Sequence, residues 1–334
     1  MWIPACAGMT KEKMKKSKLG NSDLLITKVG LGTWAIGGPW EFGWGPQDDN
    51  DSVKAILESL EAGVNWLDTA PIYGCGHSEE VVGKALKGVS KKPLIFTKCG
   101  LVWNEKNERV PCLKAKSILA ECDASLKRLG VEVIDLLQMH WPEPEEDFEE
   151  GYGAMAKCVK AGKVRYLGVS NYTVEQLQRV MKIHPLTSLQ PPYSMFRRDI
   201  EKELLPFCKK NNIGVIVYSP LYKGLLTDTF TKEKAASLPA DDVRQRGADY
   251  KMPNLEINLY TNEKLKQIAK RNKITLAQLA IAWVIRNPEV TAAIAGARKQ
   301  GQIKETAPAA DITLSNDDIN EIEEILKNRN RMLK

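Results

Sequence analysis

The segment NWLDTAPIYGCGHSEEVVGKAL, residues 65–86, carries an aspartate and a tyrosine that could serve in proton transfer. Asp68 ends an apolar run, and Tyr73 follows in a loop that contains proline and glycine. Lys98 and His140 end two later apolar runs, IFTK and LLQMH. Side chains of these four types, brought together, can protonate a carbonyl oxygen on which negative charge develops as hydride reaches the carbon.

The four side chains have complementary roles in such a step. Tyrosine is a weak acid near neutral pH because its reference pKa is about 10, and a nearby cation lowers that pKa by stabilising the phenolate. Lys98 is the expected cation, and Asp68 is the carboxylate that would keep a buried lysine charged. His140 is expected to hydrogen-bond the carbonyl oxygen while Tyr73 delivers the proton.

Each of these residues also has a purely structural interpretation. Asp68 and Lys98 could form an ion pair at the mouth of a barrel. His140 could be a hydrogen-bonded core histidine, and Tyr73 could be an aromatic residue of a loop. The catalytic interpretation requires that the fold bring all four to one place.

Short apolar runs alternate along the chain with longer amphipathic segments. Period and composition predict eight strands, at residues 26–33, 64–69, 94–98, 134–140, 164–170, 187–192, 215–220 and 290–296. Helical patterns are found at residues 50–62, 78–86, 115–129, 146–161, 173–181, 200–211, 259–270 and 276–286. Ser78, Thr173 and Ser315 are expected to cap helix N-termini.

Eight strands, each followed by a helical pattern, favour one α/β domain, a closed (β/α)8 TIM barrel. The alternative, an open doubly wound sheet, would normally begin with GxGxxG before its first helix, and GLGTWAIGG lacks that spacing. We expect a short N-terminal hairpin to close the bottom of the barrel and long loops to lie at its C-terminal face. The predicted domain spans residues 14–334 and follows an extension, residues 1–13, that is expected to be disordered.

Polar residues occur where the predicted strands end, which is where barrels of this kind carry their function. They are Thr33, Asp68, Lys98, His140, Ser170, Asn171, Gln190, Tyr218 and Ser219. A core strand that ends in a charge or an amide needs a partner for that group. We therefore expect these side chains to converge on one rim.

In order along the chain, the segments GLGTWAIGG, WLDTAPIYGCGHSEEVVGKAL, IFTKCG, DLLQMHWP, GVSNY, LQPPYSMF and VYSPL resemble the landmarks of the aldo-keto reductase family. The likeness extends over residues 18–330. This resemblance implies an NADP-dependent oxidoreductase in which Tyr73 is the general acid and base. It also implies that Lys98 modulates the tyrosine, that Asp68 is the partner of Lys98, and that His140 orients the carbonyl.

A reductase without a metal needs a hydride source, and a nicotinamide is the simplest one. Ser170, Asn171 and Gln190 are expected to hold its carboxamide, and Tyr218 is expected to face its ring. Ser170 and Asn171 could instead cap the next helix. Gly296, Arg298 and Lys299 are expected to lie near a 2′-phosphate, and this expectation favours NADP(H) as the cofactor. The alternative is that these residues form the exposed, basic start of a helix. The resemblance implies further cofactor contacts, and the full expected set adds Thr33, Trp34, Asp68, Ser219, Leu221, Lys223, Gly224, Gln302 and Glu305.

Tryptophans follow several predicted strands and indicate an apolar vestibule on the substrate side. They are Trp34, Trp40, Trp44, Trp103 and Trp141. The predicted substrate contacts are Trp34, Tyr73, Trp103, His140 and Trp141. This set suits aliphatic aldehydes, aryl aldehydes and sugars alike.

Composition excludes several other classes of protein. The net charge of +6 comes from Lys and Arg interspersed with Asp and Glu, so no nucleic-acid surface is expected. No apolar stretch approaches the ~20 residues of a membrane span. Seven cysteines without a CxxC pair indicate reduced thiols in a cytoplasmic protein, and three histidines without HxH or HExxH spacing give little support for a metal site.

Two other functions are compatible with parts of the pattern. A nucleotide-binding regulatory subunit with little turnover, similar to the potassium-channel β subunits of the same family, could retain all four residues. A barrel glycosidase would need two suitably placed carboxylates, and only Asp68 ends a strand convincingly. The expected partner is a small carbonyl or alcohol compound, and the oligomeric state stays open.

Overall fold

The computed structural model describes residues 14–239 and 242–334. The extension that was expected to be disordered, residues 1–13, lies outside the described residues. The assignment of residues 14–334 to one domain remains a prediction.

Eight parallel strands form a closed barrel, as the sequence predicts. The strands of the chain are β1 (Lys16–Lys18), β2 (Leu25–Thr27), β3 (Val29–Gly32), β4 (Trp66–Asp68), β5 (Leu94–Cys99), β6 (Leu101–Trp103), β7 (Arg109–Pro111), β8 (Ile134–Met139), β9 (Val164–Ser170), β10 (Ser188–Gln190), β11 (Gly214–Val217) and β12 (Ala292–Gly296). The barrel runs in the order β3, β4, β5, β8, β9, β10, β11, β12 and closes from β12 back to β3. The first predicted run, residues 26–33, divides between β2 of the hairpin and β3 of the barrel.

The α-helices of the described residues are α1 (Asp49–Glu61), α2 (His77–Leu86), α3 (Ala115–Leu129), α4 (Phe148–Lys160), α5 (Val174–Val180), α6 (Leu204–Lys210), α7 (Lys232–Ala236), α8 (Asn254–Arg271), α9 (Leu276–Ile285), α10 (Gln302–Thr306) and α11 (Asn316–Met332). The helix predicted at residues 200–211 is shorter than expected. Pro206 cannot donate the backbone hydrogen bond that a helix beginning at residue 200 would require, so α6 begins just before it. The sequence reasoning missed α11, although it predicted its cap at Ser315.

Helix capping follows the prediction at two of three positions. Thr173 accepts a hydrogen bond from the backbone of Gln176 in a capping box, and Ser315 accepts one from the backbone of Asp318. The expectation for Ser78 is wrong, because α2 already begins at His77. The Ser78 hydroxyl instead lies 3.0 Å from the carbonyl oxygen of Thr33, at the end of β3.

The interior of the barrel is apolar in its lower part, near the N-terminal ends of the strands, and polar in its upper part, near their C-terminal ends. The lower part is filled by Trp66, Phe96, Leu136, Ile216, Ala292 and Ile294, and the hairpin β1–β2 closes the bottom with Leu19, Leu24 and Ile26. Side chains two residues apart on a strand point to the same face. The residues two positions beyond Trp66, Phe96 and Leu136 therefore also face the interior, and they are Asp68, Lys98 and Gln138.

No helix of the described residues is long and apolar enough to cross a membrane. Cysteines 75, 99, 112, 122, 158 and 208 are all free thiols.

The absence of a side chain at Gly30 makes room for the largest residue of the barrel interior. A Cβ atom on Gly30 would lie 2.1 Å from Cε2 of the Trp66 indole. We expect Gly30→Ala to lower the free energy of unfolding by about 1–3 kcal/mol, because the overpacked interior must shift. Urea unfolding measures the change.

Gly153→Ala in α4 is the matched control, since the added methyl would meet no atom closer than Cγ2 of Ile183 at 3.9 Å. We expect this variant to be as stable as the parent or slightly more so, because alanine favours the helix. Equal unfolding midpoints for the two variants would contradict the assigned contact with Trp66.

Candidate active site

The centre of the site is an ion pair between Lys98 at the end of β5 and Asp68 at the end of β4. Lys98 Nζ lies 2.5 Å from Asp68 Oδ1 and donates a second hydrogen bond to the carbonyl oxygen of Thr69 at 2.9 Å. The side chains of Lys98 and Asp68 are only 1% and 4% exposed. The neighbouring strands thus place both charges beneath the rim, as the sequence predicts.

Tyr73 and His140 complete the group of four. Lys98 Nζ lies 5.1 Å from the centre of the Tyr73 ring. The rings of Tyr73 and His140 meet edge to face, with their centres 5.7 Å apart. The loop after β4 therefore returns the phenol to the strand ends, and the fold brings the four predicted residues together.

The charge state of Lys98 follows the expectation. Burial alone lowers the pKa of its ammonium, but the attraction of Asp68 and Tyr73 outweighs this effect and raises the pKa above its ordinary value. Lys98 is therefore protonated at neutral pH.

The pKa of Tyr73 departs from the expectation. Burial raises it, Lys98 opposes that shift, and the charge of Asp68 adds to it, so that the net pKa lies above the ordinary value of a phenol. Lys98 lowers the pKa of Tyr73, as the sequence predicts, but desolvation of the phenolate is the larger effect. Lys98 reduces the penalty of forming a buried phenolate, and Tyr73 holds its proton at neutral pH.

His140 is neutral at the same pH. Burial and the positive charges of Lys98 and Arg109 hold its pKa well below the ordinary value of an imidazole. Its backbone carbonyl oxygen accepts a hydrogen bond from Asn171 Nδ2 at 3.1 Å, which ties the end of β8 to the end of β9. A neutral imidazole can donate one hydrogen bond to a carbonyl oxygen.

The second oxygen of Asp68 is held by two glutamines. Gln190 Nε2 lies 2.8 Å from Asp68 Oδ2, and Gln138 Nε2 lies 3.1 Å from the same atom. Gln190 was predicted to contact the cofactor, whereas Gln138 was missed. The available signal was a polar residue within the apolar strand IDLLQM, on the same face as His140.

An open cavity of about 940 Å³ lies above these residues, within the range of ligand sites in proteins. The predicted residues that line it are Trp34, Asp68, Tyr73, His140, Trp141, Ser170, Asn171, Gln190, Tyr218, Ser219, Leu221, Lys223, Gly224, Gly296, Arg298 and Gln302. Further lining residues missed by the sequence reasoning include Phe42, Arg109, Glu143, Asp242 and Arg244. The segment around residue 244 carried no recognisable motif.

Three predicted contacts do not line this cavity. Thr33 is buried, and its hydroxyl donates to the carbonyl oxygen of Asp68 at 3.1 Å, so it supports the strand end instead. The backbone oxygen of Glu305 accepts a hydrogen bond from Gln278 in α9. Trp103, at the end of β6, packs beside Ile72 and Leu101, which fixes the loop that carries Tyr73.

The part of the cavity near His140 contains linked polar side chains. Ser170 Oγ donates to the carbonyl oxygen of Gln190 at 2.8 Å, and Asn171 Nδ2 donates to Ser170 Oγ at 3.0 Å. Tyr218 donates from its hydroxyl to Asn171 Oδ1 at 2.8 Å. These contacts fix the directions of the donors and acceptors that the sequence assigns to a carboxamide.

The far part of the cavity is basic. The cationic residues that line it there are Lys223, Lys234, Arg244, Arg298 and Lys299. Arg244 forms two hydrogen bonds with Asp242, whereas the guanidinium of Arg298 donates to the carbonyl oxygens of Trp44 at 2.9 Å and Pro46 at 3.0 Å. Arg298 has no carboxylate partner among these contacts, so its charge is available to an anion.

A family model described as the aldo/keto reductase family matches residues 28–327. The chain belongs to this family. Members of the aldo/keto reductase family are oxidoreductases that act on carbonyl and alcohol groups and use a nicotinamide cofactor. The resemblance inferred from the sequence motifs is thereby confirmed.

Relatives of this aldo/keto reductase align over nearly their whole length. It is 36% identical over 318 residues to the aldo-keto reductase YhdN of Bacillus subtilis, with 94% of both chains covered. It is 33% identical to the NADH-specific methylglyoxal reductase of Escherichia coli, over 91% of this chain and 96% of the relative. The structure of a glycerol dehydrogenase from Gluconobacter oxydans superposes with a TM-score of 0.86 at 36% identity, covering 94% of this chain and 96% of that chain.

The residues of this reductase fit a nicotinamide dinucleotide. The cavity joins fixed amide and hydroxyl groups at one part to cationic side chains, including Arg298, at another, as a ligand with a carboxamide and phosphates requires. Among residues 14–239 and 242–334, no group of three or more His, Cys, Asp or Glu side chains is placed to hold a metal ion.

Removing one member of the buried ion pair leaves the other charge without compensation. We expect Lys98→Met to lower the free energy of unfolding by about 3–5 kcal/mol. The double variant Lys98→Met with Asp68→Leu removes both charges of the pair and is expected to regain most of that loss. Urea unfolding of both proteins measures the difference, and a double variant no more stable than Lys98→Met would argue against the pair as the source of the loss.

Proposed function

We propose that this protein reduces aldehydes and ketones with NADPH, and oxidises alcohols or sugars in the reverse direction, with Tyr73 as the proton donor. The observation that carries the proposal is the buried pair of Lys98 and Asp68, which lies beside the Tyr73 ring at the floor of a dinucleotide-sized cavity. A substrate carbonyl placed on this floor would lie within reach of both the phenol and the imidazole.

The nicotinamide supplies hydride when it is bound. Tyr73 holds a proton at neutral pH and gives it to the substrate oxygen. The phenolate left behind is stabilised by Lys98, which Asp68 keeps charged. His140 is neutral and donates a hydrogen bond that orients the carbonyl. In the reverse direction, the same phenolate removes the proton from an alcohol.

Selection of NADPH over NADH is supported by the basic part of the cavity. Arg298 and Lys299 follow β12 after a single residue, Ala297. Neither the guanidinium nor the ammonium is paired with a carboxylate among the described contacts. A guanidinium can bind a phosphate through two hydrogen bonds. One relative is named as NADH-specific, so cofactor choice is a property of individual members and must be carried by local residues such as these.

The aromatic residues beside Tyr73 support reactive carbonyl compounds with an apolar portion as substrates. The test is a panel of aldehydes, ketones and sugars, with NADPH consumption followed by nicotinamide absorbance. We expect turnover with a nitrobenzaldehyde. Tight NADPH binding without turnover on any member of the panel would favour a regulatory nucleotide-binding subunit instead.

Loss of the Tyr73 hydroxyl should affect chemistry and leave binding intact. We expect Tyr73→Phe to lower kcat by at least ~100-fold, which is the scale of general acid catalysis. The NADPH dissociation constant, measured by fluorescence, should stay within about twofold because the ring remains in place. Normal turnover in this variant would reject Tyr73 as the acid.

Arg298→Ala should discriminate between the two nicotinamide dinucleotides. We expect the dissociation constant for NADPH to rise at least ~10-fold, and that for NADH to change little, because only NADPH carries the 2′-phosphate. Lys304→Ala is a matched control in the same segment, since its ammonium is paired with Glu58 at 2.9 Å. Equal losses for NADPH and NADH in Arg298→Ala would contradict a phosphate contact.

A further inference from the structure

Gln138 is a fully buried amide in the polar upper layer of the barrel. On β8 it lies opposite Lys98 of β5 and Gly168 of β9. A Cβ atom on Gly168 would lie 3.1 Å from Cγ of Gln138 and 2.4 Å from Oγ of Ser188. The glycine therefore leaves the space into which the glutamine side chain fits.

Three hydrogen bonds join Gln138, Gln190 and Asp68 in a closed ring. Gln138 Nε2 donates to Asp68 Oδ2 at 3.1 Å, and Gln190 Nε2 donates to the same oxygen at 2.8 Å. Gln190 Nε2 also donates to Gln138 Oε1 at 3.0 Å. An amide nitrogen carries two hydrogens, so both donors of Gln190 are engaged by this ring.

The ring determines which atom of Gln190 is available to a ligand. Rotating the Gln190 amide by half a turn would place its oxygen against Asp68 Oδ2 and Gln138 Oε1, both of which are acceptors. With its nitrogen engaged, Gln190 has its Oε1 oxygen left for the cavity that it lines. That oxygen can accept a hydrogen bond from the amino group of a carboxamide.

The same ring fixes the carboxylate of Asp68. Its Oδ2 atom accepts from the two glutamines, and its Oδ1 atom remains for Lys98 at 2.5 Å. An apolar residue in place of Gln138 would remove one donor from Asp68 and one of the two acceptors that the Gln190 nitrogen has among the described residues.

We infer that Gln138 is a positioning residue that makes Gln190 an obligate acceptor for the carboxamide amino group of the nicotinamide, while it holds the Asp68 carboxylate towards Lys98. The inference rests on the proposed function in that it takes Gln190 to face a nicotinamide. It concerns the selectivity of binding, which can be measured without turnover.

The first experiment compares NADP⁺ with its 3-acetylpyridine analogue, whose methyl ketone has no N–H to donate. We expect the wild-type protein to bind NADP⁺ at least ~10-fold more tightly than the analogue, since a buried acceptor left without its donor costs on the order of 1–3 kcal/mol. Gln138→Met, which has a similar volume, removes one of the two acceptors that fix the orientation of the Gln190 amide, and Asp68 remains as the other. We expect its ratio of dissociation constants to fall at least ~threefold below the wild-type ratio.

The second experiment uses Gln138→Glu and pH. A protonated carboxyl group can donate to Asp68 and accept from Gln190, as the amide does, whereas a carboxylate cannot donate and is repelled by Asp68. The charged groups facing this position are Asp68 on β4 and Lys98 on β5. A carboxyl or carboxylate oxygen at this position still accepts from the Gln190 nitrogen. We therefore expect the binding ratio of Gln138→Glu to equal the wild-type ratio at low pH and to remain above the Gln138→Met ratio at high pH.

Gln176→Met is the control, because this glutamine caps α5 and makes no contact with the ring. The ratio of its dissociation constants for the 3-acetylpyridine analogue and NADP⁺ should equal that of the wild type. An unchanged ratio in Gln138→Met, or a ratio in Gln138→Glu as low as that of Gln138→Met, would overturn the inference. Wild-type binding with the expected ratio but no carbonyl reduction would refute the proposed function alone, whereas failure to bind either nucleotide would refute both.

Discussion

The site depends on keeping an ammonium charged in a place that water does not reach. Lys98 is almost completely buried, and burial alone would favour its neutral form. The contact with Asp68 reverses that preference, at the cost of removing a carboxylate from water as well. An uncompensated charge at either position would destabilise the barrel, so the pair is at once a requirement of the fold and the source of the positive charge beside Tyr73.

The barrel supplies this environment through the alternation of its strands. Trp66 and Phe96 fill the interior, and the residues two positions further on, Asp68 and Lys98, face the same interior nearer the rim. The apolar layer excludes water from below, and the amides of Gln138 and Gln190 satisfy the carboxylate from the side. The ion pair is therefore supported by side chains from two other strands, β8 and β10, and by the carbonyl oxygen of Thr69 just after β4.

Much of this arrangement could be predicted from the sequence, because the polar residues that end apolar runs mark the strand ends. The eight strands and the four central residues follow from that pattern together with the family resemblance. Gln138 lies within a strand and was missed, since period alone does not say which face of a core strand is polar. The sequence identifies the charge of Lys98, which lowers the pKa of Tyr73, but not the depth of burial, which raises it. Trp103 packs beside Ile72 and Leu101, and the hairpin β6–β7 that carries it was not among the predicted strands.

The two carbonyl oxygens that hold Arg298 have a thermodynamic consequence for the ligand. Arginine side chains lose up to about 2 kcal/mol of rotamer entropy when they are immobilised. In this protein, the contacts with the carbonyl oxygens of Trp44 and Pro46 hold the guanidinium in place. The entropy is therefore lost when the chain folds, and an arriving anion gains the attraction of a rigid cation without having to order it.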